Sequence, residues 1–240
     1  MMAELSGGHP VAMAGPANGT SSDAGPASGT PAPEFSILGV EAVPHSAAPN
    51  LLFTGHVSET SGREVYAIAL TTQVMIDPAR RGYDDDTRER LFELFGEPER
   101  WGATTHSFLW AELSTMVSSF TGATTFRLPM QCNYDLEIAA TKYLHSVPGG
   151  EVPLSFNFTG TIFYRGETDR LQIVKVPWDC TVRFGMPAAV WREMIEEHYP
   201  NGGWIRLADD TLERLGSHKA AAGHPTFDAA VAALLKLEQT

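Results

Sequence analysis

Apolar and polar residues alternate with a period of two along much of the chain after residue 35. Successive side chains of a β-strand point to opposite faces, so this alternation predicts strands that bury one face. In the third such segment the pattern places Tyr66, Ile68 and Leu70 on the buried face. We predict about seven or eight antiparallel strands joined by short turns. The segments are 35–42, 51–57, 63–77, 106–113, 126–144, 152–164 and 171–184.

A helical period interrupts the strand pattern near residue 90. Asp84 and Thr87 bound a stretch that offers N-cap side chains, and a stripe of leucine and phenylalanine follows it. Gly96 and Pro98 then end the stripe, as expected at a helix C-terminus. These signals predict a short helix over residues 85–95, inserted between strands.

The pattern becomes helical again after residue 186. Trp191, Met194 and Ile195 share one face of a predicted amphipathic helix. Acidic residues and Thr226 then offer N-caps for later helices. The remaining predicted elements are a short strand at 204–207 and helices at 209–219 and 226–237.

These elements predict a mainly β, α+β fold. We expect an antiparallel β-sandwich or a twisted two-layer sheet, with an inserted short helix and a C-terminal helical segment. Residues 1–34 are mainly Gly, Ala, Pro, Ser and Thr, and such a composition predicts a disordered tail. The predicted organisation is therefore the tail (1–34), an antiparallel β domain (35–186) and a helical segment (187–240) packed on the β domain.

The charge of the chain narrows the class of partner. The 240 residues carry a formal net charge of −12, and the sequence pI is about 5.0. Such a surface repels phosphate backbones, so we expect no nucleic-acid partner. We see no secretory signal and no apolar run long enough to span a membrane. We expect a cytoplasmic protein with a protein partner, and the sequence leaves its oligomeric state open.

Cys180 lies next to Asp179 and close to Trp178, which raises the question of its reactivity. If residues 171–184 form one strand, Trp178 and Cys180 share its apolar face and point to the core. Cys132 has apolar neighbours of the same kind in its own predicted strand. A thiol in such surroundings is inert, so we interpret both cysteines as structural. A Cys132–Cys180 pair stays open, because the order of the strands is not known.

No local motif indicates catalysis or a metal site. The sequence has no nucleophile elbow, no phosphate-binding glycine loop and no Cys-x-x-Cys. Residues 194–198 approach a zinc-binding motif, but Met194 occupies the first ligand position. We therefore expect no cofactor and no metal. An active site would need distant residues to converge, and Asp179, His106 and Glu193 are generic candidates for it.

One segment combines arginine with aromatic residues in an otherwise acidic chain. These residue types contribute most of the binding energy in protein interfaces. We therefore predict a partner-binding surface formed by Arg80, Arg81, Tyr83, Arg88 and Trp101. The alternative is a helix docked on the sheet, with its arginines paired to neighbouring acidic residues. Composition alone leaves both open.

Longer segments support a family resemblance. They are FSILGVEAVPHSAAPNLLF, REVYAIALTTQVMIDPARRGYDDDTRERLFELFG, ERWGATTHSFLWAELST, VPGGEVPLSFNFTGTIFYRG and VPWDCTVRFGMPAAVWREMIEEHYPNGGWIRL. Together they resemble an uncharacterised bacterial family, known as a domain of unknown function, over residues 35–237. Its members are often encoded beside nickel–iron (NiFe) hydrogenase genes in high-GC bacteria. The resemblance implies an accessory or maturation role.

A looser likeness, in pattern only, exists to the export chaperone SecB, which is also acidic and antiparallel. Three hypotheses follow. The first is a non-enzymatic accessory protein that binds another protein, in assembly or maturation of a NiFe-hydrogenase. The second is a SecB-like holdase, and the third is an enzyme with a site assembled from distant residues. We favour them in this order, because catalytic motifs are absent and the arginine–aromatic segment is present.

Overall fold

The structure is a computed structural model that describes residues 29–133, 135–136, 138–166 and 168–237. Most of the predicted tail, residues 1–28, lies outside the described residues. The strands are β1 (Glu34–Ala42), β2 (Asn50–Ser58), β3 (Glu64–Ile76), β4 (Phe108–Val117), β5 (Phe120–Thr121), β6 (Ala123–Gln131), β7 (Glu151–Arg165), β8 (Leu171–Lys175) and β9 (Thr181–Pro187). The helices are α1 (Asp85–Phe95), α2 (Trp101–Thr104), α3 (Ala139–Ser146), α4 (Ala188–His198), α5 (Asp209–Ala221) and α6 (Phe227–Leu237).

The strands form two antiparallel sheets. The first sheet has the order β1–β2–β6. The second has the order β4–β3–β7–β8, with β5 also paired to β3 and β9 also paired to β7. The predicted fold class, mainly antiparallel β with an inserted short helix and C-terminal helices, is confirmed.

Aromatic side chains from both sheets meet in the core. Phe35 and Phe53 of the first sheet pack on Phe158 and Phe156 of the second, with ring centroids 4.8 Å and 5.1 Å apart respectively. Phe53, Phe156 and Phe158 are buried. Full burial of such a side chain contributes about 1.5–3 kcal/mol, so these contacts hold the sheets face to face.

Strand β7 follows its predicted alternation along most of its length. Leu154, Phe158 and Ile162 are all buried on the face that the pattern predicts. Gly160 interrupts the series, and a Cβ at this position would lie 2.1 Å from the backbone oxygen of Ala69 on β3. The glycine therefore allows the two central strands to approach each other.

The prediction that Tyr66 faces the core is wrong. Its side chain is 54% exposed, whereas Val65 is fully buried. The register of β3 against β7 shifts between Val65 and Ala67. A bulge of this kind moves the residues before it to the other face, so the alternation of residues 68–76 does not extend to Tyr66.

The predicted strand over residues 126–144 is wrong in its second half. Strand β6 ends, and helix α3 begins, within this segment. The helix packs its apolar side chains on the domain with the three- and four-residue spacing of one helical face. Its buried residues, with the residue that follows its end, include Ala140, Tyr143, Leu144 and Val147.

The predicted long strand over residues 171–184 is two strands. Strands β8 and β9 pair with opposite halves of β7, and a turn separates them, in which Cys180 N contacts Pro177 O at 3.4 Å. Proline has no N–H for the sheet ladder, which favours a break at this point. Trp178 lies in the turn and is 93% exposed, so its predicted place in the core is wrong.

Both cysteines are free thiols, so the pairing that the sequence left open is not a disulfide. Cys132 is buried, and this burial raises its pKa to about 12. Cys180 is only partly buried, and burial together with the charge of Asp179 raises its pKa. Both thiols are protonated near neutral pH and therefore unreactive, in agreement with the structural interpretation.

The predicted helices are present, but they differ in how they pack. Helix α1 has the predicted bounds. Helix α4 buries Trp191, Met194 and Ile195 and contacts β1, β2 and β9. Helices α5 and α6 contact each other, α5 buries no side chain, and α6 buries Ala230. The segment 204–207 forms no strand beyond a single bridge from its first residue.

No helix in the described ranges is both long enough and apolar enough to cross a membrane.

A candidate binding cleft beside helix α1

Strand β3 ends at a buried carboxylate that fixes the start of the arginine–aromatic segment. Asp77 is 5% exposed and accepts a hydrogen bond from Ser155 of β7 and from Arg80 Nη1 at 3.4 Å. The Asp77 backbone amide donates to Pro153 O at 2.9 Å. A short helical turn begins at Pro78, so the chain leaves the sheet from an anchored position.

Arg81 joins this turn to the loop before β7. Its guanidinium donates to Gly149 O at 3.1 Å and to Glu151 O at 2.9 Å. The same group lies over the ring of Tyr83, 5.3 Å from its centroid. Hydrogen bonds from a charged donor contribute about 1.5–3 kcal/mol when well shielded. The guanidinium of Arg81 therefore forms its hydrogen bonds within the protein.

Tyr83 and Tyr143 are hydrogen-bonded through their hydroxyls. Tyr83 Oη donates to Pro78 O at 2.7 Å, so the proton between the two phenols, 2.8 Å apart, comes from Tyr143. Burial raises the pKa of Tyr83 and of Tyr143. Both phenols are neutral near pH 7, so neither acts there as a tyrosinate base or nucleophile.

Trp101 closes the segment that follows α1. Gly96 ends the helix with a φ of 73°, a conformation that favours glycine. Trp101 Nε1 donates to Gly96 O at 2.9 Å. The indole meets Tyr83 and Phe95 edge to face, with centroids 5.5 Å and 5.6 Å away. Each such ring pair adds about 0.5–1.5 kcal/mol beyond its burial, so the indole is held in a fixed position.

Arg81, Tyr83 and Trp101 line a cleft of about 460 Å³. Arg88 lies at its rim on α1 and forms an ion pair with Asp85 at 3.0 Å. A concave surface with apolar walls and few polar groups is the usual form of a binding site. The lining residues are Pro78, Ala79, Arg81, Gly82, Tyr83, Arg88, Pro98, Glu99, Trp101, Gly102 and Thr105.

The structure brings four of the five predicted site residues together at this cleft: Arg81, Tyr83, Arg88 and Trp101. Arg80 instead lines a neighbouring cleft of about 320 Å³. The alternative interpretation also describes part of the segment, because the helix docks on the domain and Arg88 pairs with an acidic neighbour. The prediction that these residues bind a partner remains a prediction.

Some residues that shape the cleft were not predicted from the sequence. Pro78 and Pro98 line it, and their position beside the arginine–aromatic segment was the available signal. Tyr143 supports Tyr83 from α3, a helix that lies in the segment predicted as a strand. Gly149 accepts from Arg81 across 68 sequence positions, and no local pattern predicts such a contact.

The generic catalytic candidates do not share a described cleft. Glu193 lines a cleft of about 420 Å³ beside His145 on the α4 side. His106 and Asp179 line neither that cleft nor the one beside α1. Across the described part of the chain, no three His, Cys, Asp or Glu side chains group in a way that could hold a metal ion.

Comparison with known protein families assigns the chain to one of them. A family model with the description "Family of unknown function (DUF6084)" matches residues 30–240. The chain belongs to the DUF6084 family. Membership confirms the resemblance to a domain of unknown function that the sequence segments indicated. No protein of curated function matches the chain.

Solved structures add no functional information. The chain is similar to the ApaA protein from Bordetella pertussis at 12% identity and a TM-score of 0.24, over 65% of this chain and 95% of that one. It is also similar to a β-glucosidase from Kluyveromyces marxianus at 7% identity and a TM-score of 0.23, over 65% of this chain and 15% of that one. At these TM-scores neither likeness carries an argument.

Proposed function

We propose that this DUF6084 member is a non-enzymatic accessory protein that binds another protein through the cleft beside α1. The observation that supports the proposal is the fixed aromatic wall of the cleft. Tyr83 and Trp101 are held by internal hydrogen bonds and by each other. A site that is ordered before binding loses little side-chain entropy when a partner arrives.

The residues around the cleft suit an anchored protein contact. Aromatic and arginine side chains are the types enriched at binding hot spots. Arg88 and Glu99 lie exposed among the lining residues, where they can select a partner by charge. A NiFe-hydrogenase subunit is the first partner to test, because the family resemblance implies a role in its assembly or maturation.

The experiment fills the cleft without removing any contact. Gly102 lies in α2 and lines the cleft, and a Cβ at this position meets nothing within 4 Å. Gly102→Gln therefore introduces a side chain into the cleft. Gly216→Gln is the matched control, because Gly216 is also helical with open space around it and lies outside the cleft. Each tagged protein is purified from its native host, and the co-purifying proteins are quantified.

We expect the wild type and Gly216→Gln to recover one defined protein or complex in comparable amounts. Gly102→Gln should lower that recovery by about tenfold or more, since about 1.4 kcal/mol of lost affinity already has that effect. If Gly102→Gln recovers as much of the partner as Gly216→Gln, the cleft is not the binding site. Recovery of no partner by the wild type would contradict the accessory role and favour the enzyme hypothesis.

A SecB-like holdase is the second candidate, and exposed apolar side chains favour it. Large apolar residues outside the core include Met116, Leu171, Ile173, Trp178 and Leu235. Such exposure can receive unfolded chains. A holdase would suppress aggregation of unrelated unfolded proteins, would recover a broad spread of clients, and would be insensitive to Gly102→Gln. Absence of that suppression removes this candidate.

A further inference from the structure

Strand β8 is an edge strand whose free side can be defined from its hydrogen bonds. Within the described residues, it pairs with β7 and with no other strand. Gly166 N donates to Arg170 O at 2.9 Å at one end of the hairpin, and Val176 N donates to Gly160 O at 3.1 Å at the other. The two bonds fix the alternation of the whole β7–β8 ladder.

That alternation divides the backbone groups of β8 into two sets. Gln172 and Val174 lie opposite Tyr164 and Ile162 of β7 and exchange hydrogen bonds with them. The N–H and C=O groups of the intervening residues point away from β7. The free edge of β8 therefore consists of the outward backbone groups of Leu171, Ile173 and Lys175.

The side chains at this edge are also exposed. Leu171 is 59% exposed and Ile173 is 67% exposed. Ile173 lies opposite Phe163 of β7, so the two form the edge of an apolar surface. Trp178 lies three residues beyond the end of the strand and is 93% exposed. Exposed apolar residues beside an unpaired edge are typical of a surface that receives another strand.

The charge of the strand favours a second copy of the same chain. The protein has a net charge of −12, so two copies repel each other wherever acidic surfaces would meet. Strand β8, with the sequence LQIVK, contains no acidic residue and one lysine. Lys175 Nζ donates to Thr161 Oγ1 at 2.9 Å, which directs the cation onto its own sheet.

We propose that β8 pairs antiparallel with β8 of a second copy, about a twofold axis at Ile173. In this register the outward donors and acceptors of both strands match at all three positions. Ile173 faces its own copy, and Leu171 faces Lys175 of the other chain, so no like charges meet. Lysine often blocks an edge strand, but here it lies at the end of the pairing and opposite a leucine.

The test is the oligomeric state of the full chain, measured by sedimentation velocity over a range of concentrations. Ile173→Lys places two lysines opposite each other, and we expect it to weaken the dimer by about tenfold or more. Met116→Lys is the matched control, because Met116 is 63% exposed on β4 at the other edge of the sheet. Circular dichroism checks that each variant is folded.

A second pair of variants tests the register independently of the lysine substitution. Leu171→Glu places a carboxylate opposite Lys175 of the other copy, so the dimer should persist or strengthen. Ile173→Cys should form a covalent dimer under mild oxidation, since directly opposite residues of a hydrogen-bonded pair are about 5.5 Å apart between Cα atoms. Met116→Cys controls for the native cysteines and should give none.

Several results would overturn the proposal. A wild-type chain that is monomeric at every concentration would indicate that the edge receives a strand of another protein or none. A dimer that Met116→Lys dissociates and Ile173→Lys leaves intact would place the interface elsewhere. Loss of the dimer with Leu171→Glu, to the same extent as with Ile173→Lys, would exclude this register. None of these outcomes depends on the cleft beside α1.

Discussion

Around the cleft beside α1, most polar groups of the arginine and aromatic side chains form hydrogen bonds within the protein. Arg81 donates to the backbone oxygens of Gly149 and Glu151, and Trp101 donates to the backbone oxygen of Gly96 at the end of α1. Along β8 the side chains are simple, yet the backbone of Ile173 points to a free edge. The composition of a segment thus indicates which hydrogen bonds it can form. The fold determines which of its donors and acceptors remain free to bind a partner.

The two regions therefore suit different kinds of contact. The cleft offers a preformed shape with a charged rim, so a partner is recognised by the fit of its side chains. The β8 edge offers backbone donors and acceptors in a row, so it recognises an extended strand. The difference can be tested by comparing substitutions of residues that are bonded within the fold with substitutions of exposed residues.

The largest contrast in the free energy of unfolding is expected between substitutions of Trp101 and Trp178. Trp101→Ala removes a hydrogen bond and two ring contacts, and we expect it to lower the free energy of unfolding by about 2–3 kcal/mol. Trp178→Ala removes a side chain that is 93% exposed, and we expect a change within about 0.5 kcal/mol. Urea denaturation of dilute protein measures both. Equal losses would contradict the assignment of Trp101 to the fold.

The two cleft arginines should show a smaller contrast. Arg81→Ala removes hydrogen bonds to Gly149 O and Glu151 O, and we expect a loss of about 1–2 kcal/mol. Arg88→Ala removes an ion pair with Asp85, whose side chain is 95% exposed, and the expected loss is within about 0.5 kcal/mol. Thermal unfolding of the two variants checks the order, and a larger loss for Arg88→Ala would reverse the interpretation.

Tyr83→Phe should lower the free energy of unfolding at neutral pH by about 1 kcal/mol. Its pH dependence is more informative. Burial raises the pKa of Tyr83 and Tyr143 in the folded state, so above pH 10 the unfolded chain loses these protons and the folded chain keeps them. Their contribution is therefore complete below about pH 10 and is lost as the pH rises above it.

Tyr83→Phe should accordingly lose less stability than the wild type between about pH 10 and 11. Urea midpoints at successive pH values, compared between the two proteins, measure the difference. Parallel losses in both would show that Tyr83 ionises normally in the folded protein. Tyr66→Phe is the control, because it also removes one phenol hydroxyl, but from a side chain that is 54% exposed.

The sequence allowed correct prediction where one period continued without interruption. Strand β7 keeps its alternation through Phe158 and Ile162, and α1 is bounded by an N-cap at Asp84 and by Gly96. Prediction failed where pairing to another strand decides the local geometry. The bulge beside Tyr66 is set by the register with β7, and no feature of β3 alone reveals it.

Helix α3 shows a second cause of failure. Period-two alternation continued past the end of β6, while Ala140, Tyr143 and Leu144 already had helical spacing. The predicted strand extended the alternation of residues 126–138 across residues 139–144, whose buried positions have helical spacing. Helix α3 places Tyr143 behind Tyr83, to which it is hydrogen-bonded, so this error hid a residue that supports the candidate site.

The two candidate surfaces also differed in how far the sequence predicted them. The cleft residues are close in sequence, so composition indicated their cluster even though its long-range contacts were not visible. The free edge of β8 depends on strand order, which is a property of the complete sheet. A strand with the sequence of β8 would look the same in the centre of a sheet, where its backbone would be fully paired.

The most direct test of the contrast between the two regions is amide hydrogen exchange of the wild-type chain, resolved by residue and measured at low and high protein concentration. We predict that in dilute protein the Ile173 amide exchanges rapidly while those of Gln172 and Val174 are protected. At high concentration the Ile173 amide should also become protected, with Gly96 and Thr105 at the cleft protected throughout by their backbone bonds. Rapid exchange of Ile173 at every concentration, or of the cleft amides in both samples, would contradict the account.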